Sequence, residues 1–289
     1  MPRFDYARAV SIDEAVALLS DPHCVSRPLA GGTDLLVQTR HGPPAFQRLV
    51  DVSRVPEMRT IERRGDEIHI GAAVTYTEII DSELLRETAT CLVEAAQLVG
   101  GPAIANAGTL GGNVANAAAC ADGIPPLVCL DAVAHLVSRE GRRDLLVSEV
   151  VTGPHQNALK PGELITHFTF PALPVGARSV FLKLGRRNAQ AIARLNVAAA
   201  GRVSPEGRID FARLTPGSAT PRAVRLTQIE TMLIGCTPSR ELFEEAGAEA
   251  ARAMIAVTGR RWSTEYKEIA LHGLVARALR HVFNLELER

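Results

Sequence analysis

Cysteine pairs, a basic excess and long apolar runs are all missing from this 289-residue chain, and each absence closes off a class of function. The five cysteines (Cys24, Cys91, Cys120, Cys129, Cys236) are odd in number and widely scattered. None stands in a C-x-x-C pair, so a disulfide framework, a zinc site and a resident iron–sulfur cluster are not expected. They are expected as single buried thiols. Lys plus Arg equal Asp plus Glu at 32 each, with no basic block. That balance argues against a nucleic-acid grip through phosphates. No apolar run reaches the roughly 18–20 residues that cross a bilayer, so no membrane span is expected. The start, Met1-Pro2-Arg3-Phe4-Asp5-Tyr6, lacks the apolar core of a signal peptide, and a cytoplasmic location is expected. None of the eight histidines pairs at metal-ligand spacing, so no metal ligand is assigned and all read as surface or core residues.

What is present is a hydrophobic fraction of 46%, enough for a substantial core in one large or two ordinary domains. Glycine is concentrated in two places. Ala107-Gly108-Thr109-Leu110-Gly111-Gly112-Asn113-Val114-Ala115-Asn116 is followed by Asp122-Gly123-Ile124-Pro125-Pro126, and an echo stands earlier at Leu29-Ala30-Gly31-Gly32-Thr33-Asp34-Leu35-Leu36. A glycine-rich backbone lets main-chain N–H groups converge on an anion. Two such loops would suit the two phosphates of a dinucleotide; as isolated matches, both read equally as ordinary tight turns.

The patterning predicts mixed short elements. Ser11 caps a helix over 11–20, and short strands follow at 28–30, 49–52 and 67–72. A helix over 34–39 would point its positive end at any bound phosphate. Helices are expected over 77–82 and 90–99, the latter stopped by Gly100-Gly101-Pro102. The second glycine stretch reads as a long loop. Strands at 132–137, 144–147 and 166–170 lead to Pro171–Gly176, the candidate domain boundary. Strands at 179–184, 193–202 and 209–214 and helices at 228–234, 239–257 and 263–283 complete an α+β outline.

The ordered motifs Ala30-Gly31-Gly32-Thr33-Asp34-Leu35-Leu36, Gly71-Ala72-Ala73-Val74-Thr75 and Gly108-Thr109-Leu110-Gly111-Gly112-Asn113, then Asp122, Pro125-Pro126, Lys183-Leu184-Gly185-Arg186-Arg187 and Asn196-Val197-Ala198, run through nearly the whole chain. In that order they resemble the FAD-binding medium subunit of molybdenum hydroxylases of the xanthine dehydrogenase and carbon monoxide dehydrogenase type. The resemblance implies a vanillyl-alcohol-oxidase (PCMH)-type FAD domain over 1–175, in subdomains of about 1–55 and 56–175. A C-terminal domain over 176–289, a small antiparallel sheet with helices, would follow.

The resemblance also implies a cofactor site. The pyrophosphate falls on Ala30, Gly31, Gly32, Thr33, Asp34 and Leu35 and on Thr109, Leu110, Gly111, Gly112 and Asn113. Asp122 is given to the nucleotide side, accepting from ribose hydroxyls; by itself it reads as a turn or cap residue. Ile165 is given a place near the flavin. Lys183 is given to the flavin ring, where a cation stabilises reduced flavin; by itself it reads as a snorkelling surface lysine. Thr75 and Tyr76 are read only as pocket wall, and Arg186 and Arg187 as a solvated loop.

The implied function is an electron-transfer flavoprotein subunit with no catalytic substrate residue of its own. Its partners would be a large subunit holding the molybdenum cofactor and a small subunit holding two 2Fe–2S clusters, assembled as a dimer of heterotrimers. Two other readings stand beside it: a self-contained FAD-dependent reductase of the same fold, and a scaffold subunit that has lost the flavin. The sequence departs from the family pattern at Ala105-Asn106-Ala107, which lacks flanking arginines, at Ala118-Ala119-Cys120 and at Asn188-Ala189-Gln190.

Overall fold

The computed structural model describes residues 4–40 and 45–285. Met1, Pro2 and Arg3 of the leader reading, and the last four residues of the C-terminal domain assignment, lie outside the described residues.

The chain opens with a three-stranded parallel sheet in the order Asp5–Arg8, Arg48–Asp51, Ser26–Leu29. Parallel neighbours need a crossover, and helix Ile12–Leu19 supplies one. Ser11 caps that helix as expected, accepting from the Glu14 N–H, while Ala15, Val16 and Leu19 turn inward. The strand Ser26–Leu29 runs directly into the first glycine loop.

A five-stranded antiparallel sheet follows in the order Ile61–Arg64, Glu67–Gly71, Leu164–Pro171, Val133–Ser138, Gly141–Leu146. Its central strand, Leu164–Pro171, is buried along most of its length. Helices Tyr76–Asp81, Glu83–Thr88 and Thr90–Gln97 follow; the second packs at the edge strand Ile61–Arg64, and the third against the first and against strand Arg178–Leu184. The strand at 61–64 and the helix at 83–88 have no counterpart in the sequence reading, because Ile61-Glu62-Arg63-Arg64 is mostly charged and Glu83–Thr88 carries a single fully buried residue, Leu85. The larger correction is at the second glycine stretch. It is a helix, Leu110–Asn116, with Thr109 as its N-cap. Glycine disfavours helices by about 1 kcal/mol per residue relative to alanine, so propensity alone hides this element.

The C-terminal part is an antiparallel sheet, Arg178–Leu184, Leu195–Val203 and Ile209–Gly217, with helices Thr227–Leu233, Arg240–Thr258 and Thr264–Val282. Side chains alternate between the faces of a strand, and here both faces are used. Val180, Leu195, Val197, Ala199 and Leu214 join the core made with the long helices. Phe181, Ala198 and Ala200 join the core of the preceding domain. Lys183 and Asn196 share the parity of Phe181 and Ala198, so the pleat aims both at the first domain. No helix among the described residues is long and apolar enough to cross a membrane.

Candidate functional site

The two glycine stretches meet. A Cβ on Gly31 would fall inside the radius of the Ala107 carbonyl oxygen, so only glycine permits the contact. Gly32, the next residue, has φ +69, a left-handed conformation that glycine adopts freely. Around the meeting point lies a cavity of about 500 Å³. Ala30, Gly31, Gly32, Thr33, Asp34 and Leu35 form one wall, with Thr109, Gly112 and Asn113 opposite.

The main-chain N–H groups of the two walls differ. Among the described residues, none of the six N–H groups from Ala30 to Leu35 donates to another backbone or side-chain atom. Backbone donors left without a partner seek one from solvent or a ligand, and all six of these residues line the cavity, as an anion cradle requires. In the second stretch the four N–H groups from Leu110 to Asn113 are already paired, while that of Thr109 has no partner among the described residues. Leu110 N–H donates to the Val74 carbonyl at 3.0 Å and Gly111 N–H to Ala72 at 2.9 Å. Gly112 N–H donates to Thr109 Oγ1 at 3.1 Å and Asn113 N–H to the Thr109 carbonyl at 3.0 Å. The two loops thus differ in number: six unpaired N–H groups on the first, and the N–H and hydroxyl of Thr109 on the second.

Gly111 explains the repeat of glycines in that second stretch. A Cβ there would stand 2.6 Å from Ala72 Cβ, so the helix packs directly on the segment after strand Glu67–Gly71. Leu110 and Gly111 are buried beneath the cavity rather than lining it. The helix expected at 34–39 is one turn, Leu35–Gln38, too short to present a dipole of consequence.

Asp122, Ile165 and Lys183 do not line this cavity. Ile165 is 4% exposed and sits in the core of the central strand, beside a bulge between Ile165 and His167. Asp122 and Lys183 find each other: Lys183 Nζ lies 2.5 Å from Asp122 Oδ2 and 3.0 Å from the Leu98 carbonyl. Asn196 Nδ2 donates to the other Asp122 oxygen at 2.9 Å. Burial pushes the Asp122 carboxyl above its ordinary range, while Lys183 and Asn196 pull it back. The resemblance gave these two residues to opposite ends of an extended dinucleotide. In the structure they form one contact, at the junction of the two domains.

Other cavity residues carried no functional reading in the sequence. Arg27, Lys160, Pro161, Gly162 and Glu163 line the cavity. Glu163 is pinned by Arg143 through two bonds of 2.7 Å, and that guanidinium holds its carboxyl below the usual range. Tyr76, read from the sequence as pocket wall, lines the cavity. Its signal was the T-x-x-E run Thr75-Tyr76-Thr77-Glu78, a capping box that the structure contains. Arg186 and Arg187 are exposed, as a solvated loop requires.

Comparison with known proteins gives the family. Residues 2–173 match the family model described as the FAD binding domain in molybdopterin dehydrogenase, and residues 180–282 match the CO dehydrogenase flavoprotein C-terminal domain. The chain is 30% identical over 280 residues to the 6-hydroxypseudooxynicotine dehydrogenase complex subunit alpha of Paenarthrobacter nicotinovorans, covering 96% of this chain and 94% of that one. It is 33% identical over 232 residues to a putative xanthine dehydrogenase FAD-binding subunit of Escherichia coli, covering 78% and 79%. A solved carbon monoxide dehydrogenase of Hydrogenophaga pseudoflava superposes with a TM-score of 0.89 at 28% identity, covering 98% of each chain.

FAD fits the donor set. Six unpaired N–H groups suit a diphosphate without needing Lys or Arg, and the close approach at Gly31 keeps side chains out of its path. The chain belongs to the family of FAD-binding medium subunits of molybdenum-dependent dehydrogenases.

Proposed function

We propose that this chain carries FAD as the electron-transfer subunit of a multi-subunit molybdenum hydroxylase. In this reading it takes electrons from 2Fe–2S clusters of a small partner subunit and passes them to an external acceptor. The observation that carries the proposal is the row of six unpaired main-chain donors from Ala30 to Leu35 beside the Ala107–Gly108 backbone.

When bound, the flavin supplies one- and two-electron exchange. The chain's own residues do the holding. The first glycine loop grips the diphosphate, Thr109, Gly112 and Asn113 form the opposite wall, and Leu110 and Gly111 fix that wall to the sheet. Lys183 is proposed to carry a fixed positive group at the flavin ring, its partner Asp122 to serve the nucleotide side as an acceptor of ribose hydroxyls, and Ile165 to support the flavin end from the core. The reading divides the chain at about residue 175, with subdomains of about 1–55 and 56–175 and a C-terminal domain from 176.

A large subunit with the molybdenum cofactor and a small 2Fe–2S subunit are the proposed partners, in a dimer of heterotrimers. The reading includes a cytoplasmic complex, which five unpaired cysteines suit. The test is co-expression with the subunits encoded beside it. Co-purification of flavin, iron and molybdenum, with flavin bleaching when the molybdenum site is given substrate, is the expected result. A flavin that stays oxidised in a complex whose clusters are reduced would contradict it.

A further inference from the structure

The chain balances 32 basic against 32 acidic side chains, yet one face of the C-terminal domain holds cations without counterions. The loop between strands Arg178–Leu184 and Leu195–Val203 carries Arg186, Arg187 and Arg194 and no carboxylate. The pairing of Asn196 with Gly217 brings the end of that loop to the same end of the sheet as Ser218. Lys267, on helix Thr264–Val282, donates to the Ser218 carbonyl at 2.6 Å. Arg261 stands at the start of that helix, its N–H donating to Thr264 Oγ1 at 2.7 Å. Among the described residues none of these five cations forms an ion pair, whereas the neighbouring Arg260 pairs with Glu268 at 3.1 Å.

Their bonds hold them without neutralising them. Arg187 donates to the Gln190 carbonyl, Arg261 to that of Thr258 and Lys267 to that of Ser218. Burial, then Arg194 and Arg261, push the Lys267 ammonium below its ordinary range, so the three charges act on one another. A negative surface set against them relieves that repulsion.

Apolar side chains stand among the cations. Trp262, the sole tryptophan, follows Arg261 and is 90% exposed, and Ile192 of the loop is 77% exposed. Tyr266 and Ile269 are exposed on the helix beyond. Tryptophan, tyrosine and arginine anchor protein interfaces. The cores of lasting interfaces are depleted in charge, so a face of unpaired cations suits a partner that arrives and leaves, as electron-transfer partners do over small areas.

The face also adjoins the cavity. Gln190 of the loop lies against Gly101, where a Cβ would stand 2.8 Å from Gln190 Nε2. Gly101 precedes the helical turn Pro102–Ala105, and Ile104 of that turn lines the cavity. The loop thus reaches from the cationic face to the cavity rim.

We propose that the face formed by Arg194, Arg261, Lys267 and Trp262 docks an acidic one-electron redox protein, the external acceptor of this chain's electrons. This rests on the electron-transfer reading above and names the class of its acceptor. Each acceptor molecule takes one electron, so two encounters empty one reduced flavin, whose protons pass to solvent.

The test uses the full chain loaded with FAD, reduced by one equivalent of dithionite without oxygen and mixed with oxidised acceptor in a stopped-flow instrument. The probes are plastocyanin, an acidic copper protein, cytochrome c, a basic haem protein, and neutral benzoquinone. Because the chain has no net charge, a difference between acceptors of opposite sign reports the local face. Plastocyanin is expected to react at least about tenfold faster at low than at high salt, and cytochrome c to show no such loss. Arg194→Gln with Arg261→Gln is expected to slow plastocyanin about fivefold at low salt and to leave benzoquinone unaffected. On the flavin-free chain, Trp262 fluorescence reads the face directly. Relative to free N-acetyltryptophanamide, iodide is expected to quench it about twofold more than caesium, with the excess shrinking in the double variant. Equal relative quenching by the two ions, the same salt dependence for both proteins, or a variant loss shared with benzoquinone overturns the proposal while the subunit reading stands. So does a variant loss confined to the small anion ferricyanide, or a double variant that no longer holds co-expressed partner subunits. A wild-type chain that takes up no FAD overturns both.

Discussion

At the scale of single residues, three glycines of the paired loops carry three different loads. Gly31 permits backbone contact between the loops, Gly111 permits the helix to lie on Ala72, and Gly112 faces the cavity with only Thr109 Oγ1 near its missing Cβ. Gly111→Ala therefore overpacks an interior contact and is expected to cost about 1–3 kcal/mol of stability. Gly112→Ala is expected to leave stability nearly unchanged and to weaken FAD. Urea unfolding of the stripped variants, set beside FAD titration, separates the two; equal stability in both variants would contradict the assignment. The buried pair makes a second prediction. Lys183→Met leaves Asp122 buried without its cation, at a cost of about 3–5 kcal/mol at pH 8. A proton on Asp122 replaces the lysine as pH falls, so the penalty shrinks toward pH 5. Adding Asp122→Asn to Lys183→Met is expected to restore much of the loss, and a single variant as stable as wild type at pH 8 would refute the pair's weight.

At the scale of elements, a feature of the five-stranded sheet escaped the sequence because its parts lie far apart in the chain. His69, His167 and His135 stand on three adjacent strands, with ring centroids 6.0 Å apart for the first pair and 4.2 Å for the second. Burial, then the neighbouring His135 and His69, lower His167 from 6.5 to about 4. Arg64 adds to the lowering and Asp144, bonded to His135 at 2.8 Å, opposes it. The folded ring is thus neutral over a range where the unfolded ring binds a proton. Stability contributed by the neutral ring is present above pH 6.5 and is lost as pH falls from 6.5 to 4. His167→Gln is expected to reduce the drop in the urea midpoint between pH 7.5 and pH 4.5; an identical drop in both proteins would count against this cause. Other elements were legible from local signals alone. Ser11 before Ile12–Leu19 and the alternation in Glu67–Gly71 are local signals, and the structure contains both elements. Helix Leu110–Asn116 was not legible, since two glycines and two asparagines argue against helix until the packing on Ala72 is known.

At the scale of the whole molecule, the C-terminal sheet is shared property. Its central strand Leu195–Val203 sends Val197 and Ala199 to its own helices and Ala198 and Ala200 to the first domain. Side-chain bonds reinforce the seam: Ser179 Oγ accepts from Cys91 N–H at 3.1 Å, and Arg213 and Arg225 both reach Asp131. The order of glycine motifs was enough to name the family and the cofactor. It was not enough to say which N–H groups of the second stretch are already taken, because that depends on Val74 and Ala72, which take up those of Leu110 and Gly111. Nor did spacing reveal that Asp122 and Lys183, 61 positions apart, form one pair.

The central claim is that the N–H groups of Ala30 to Leu35 hold the diphosphate of FAD, and titration of the stripped full chain tests it most directly. Wild type is expected to bind a single equivalent of FAD and to regain flavin absorbance. Gly31→Ala, which forces the loops apart, is expected to lose at least tenfold in affinity. A wild-type chain that stays colourless, or a Gly31→Ala chain that binds FAD as tightly as wild type, would contradict the account.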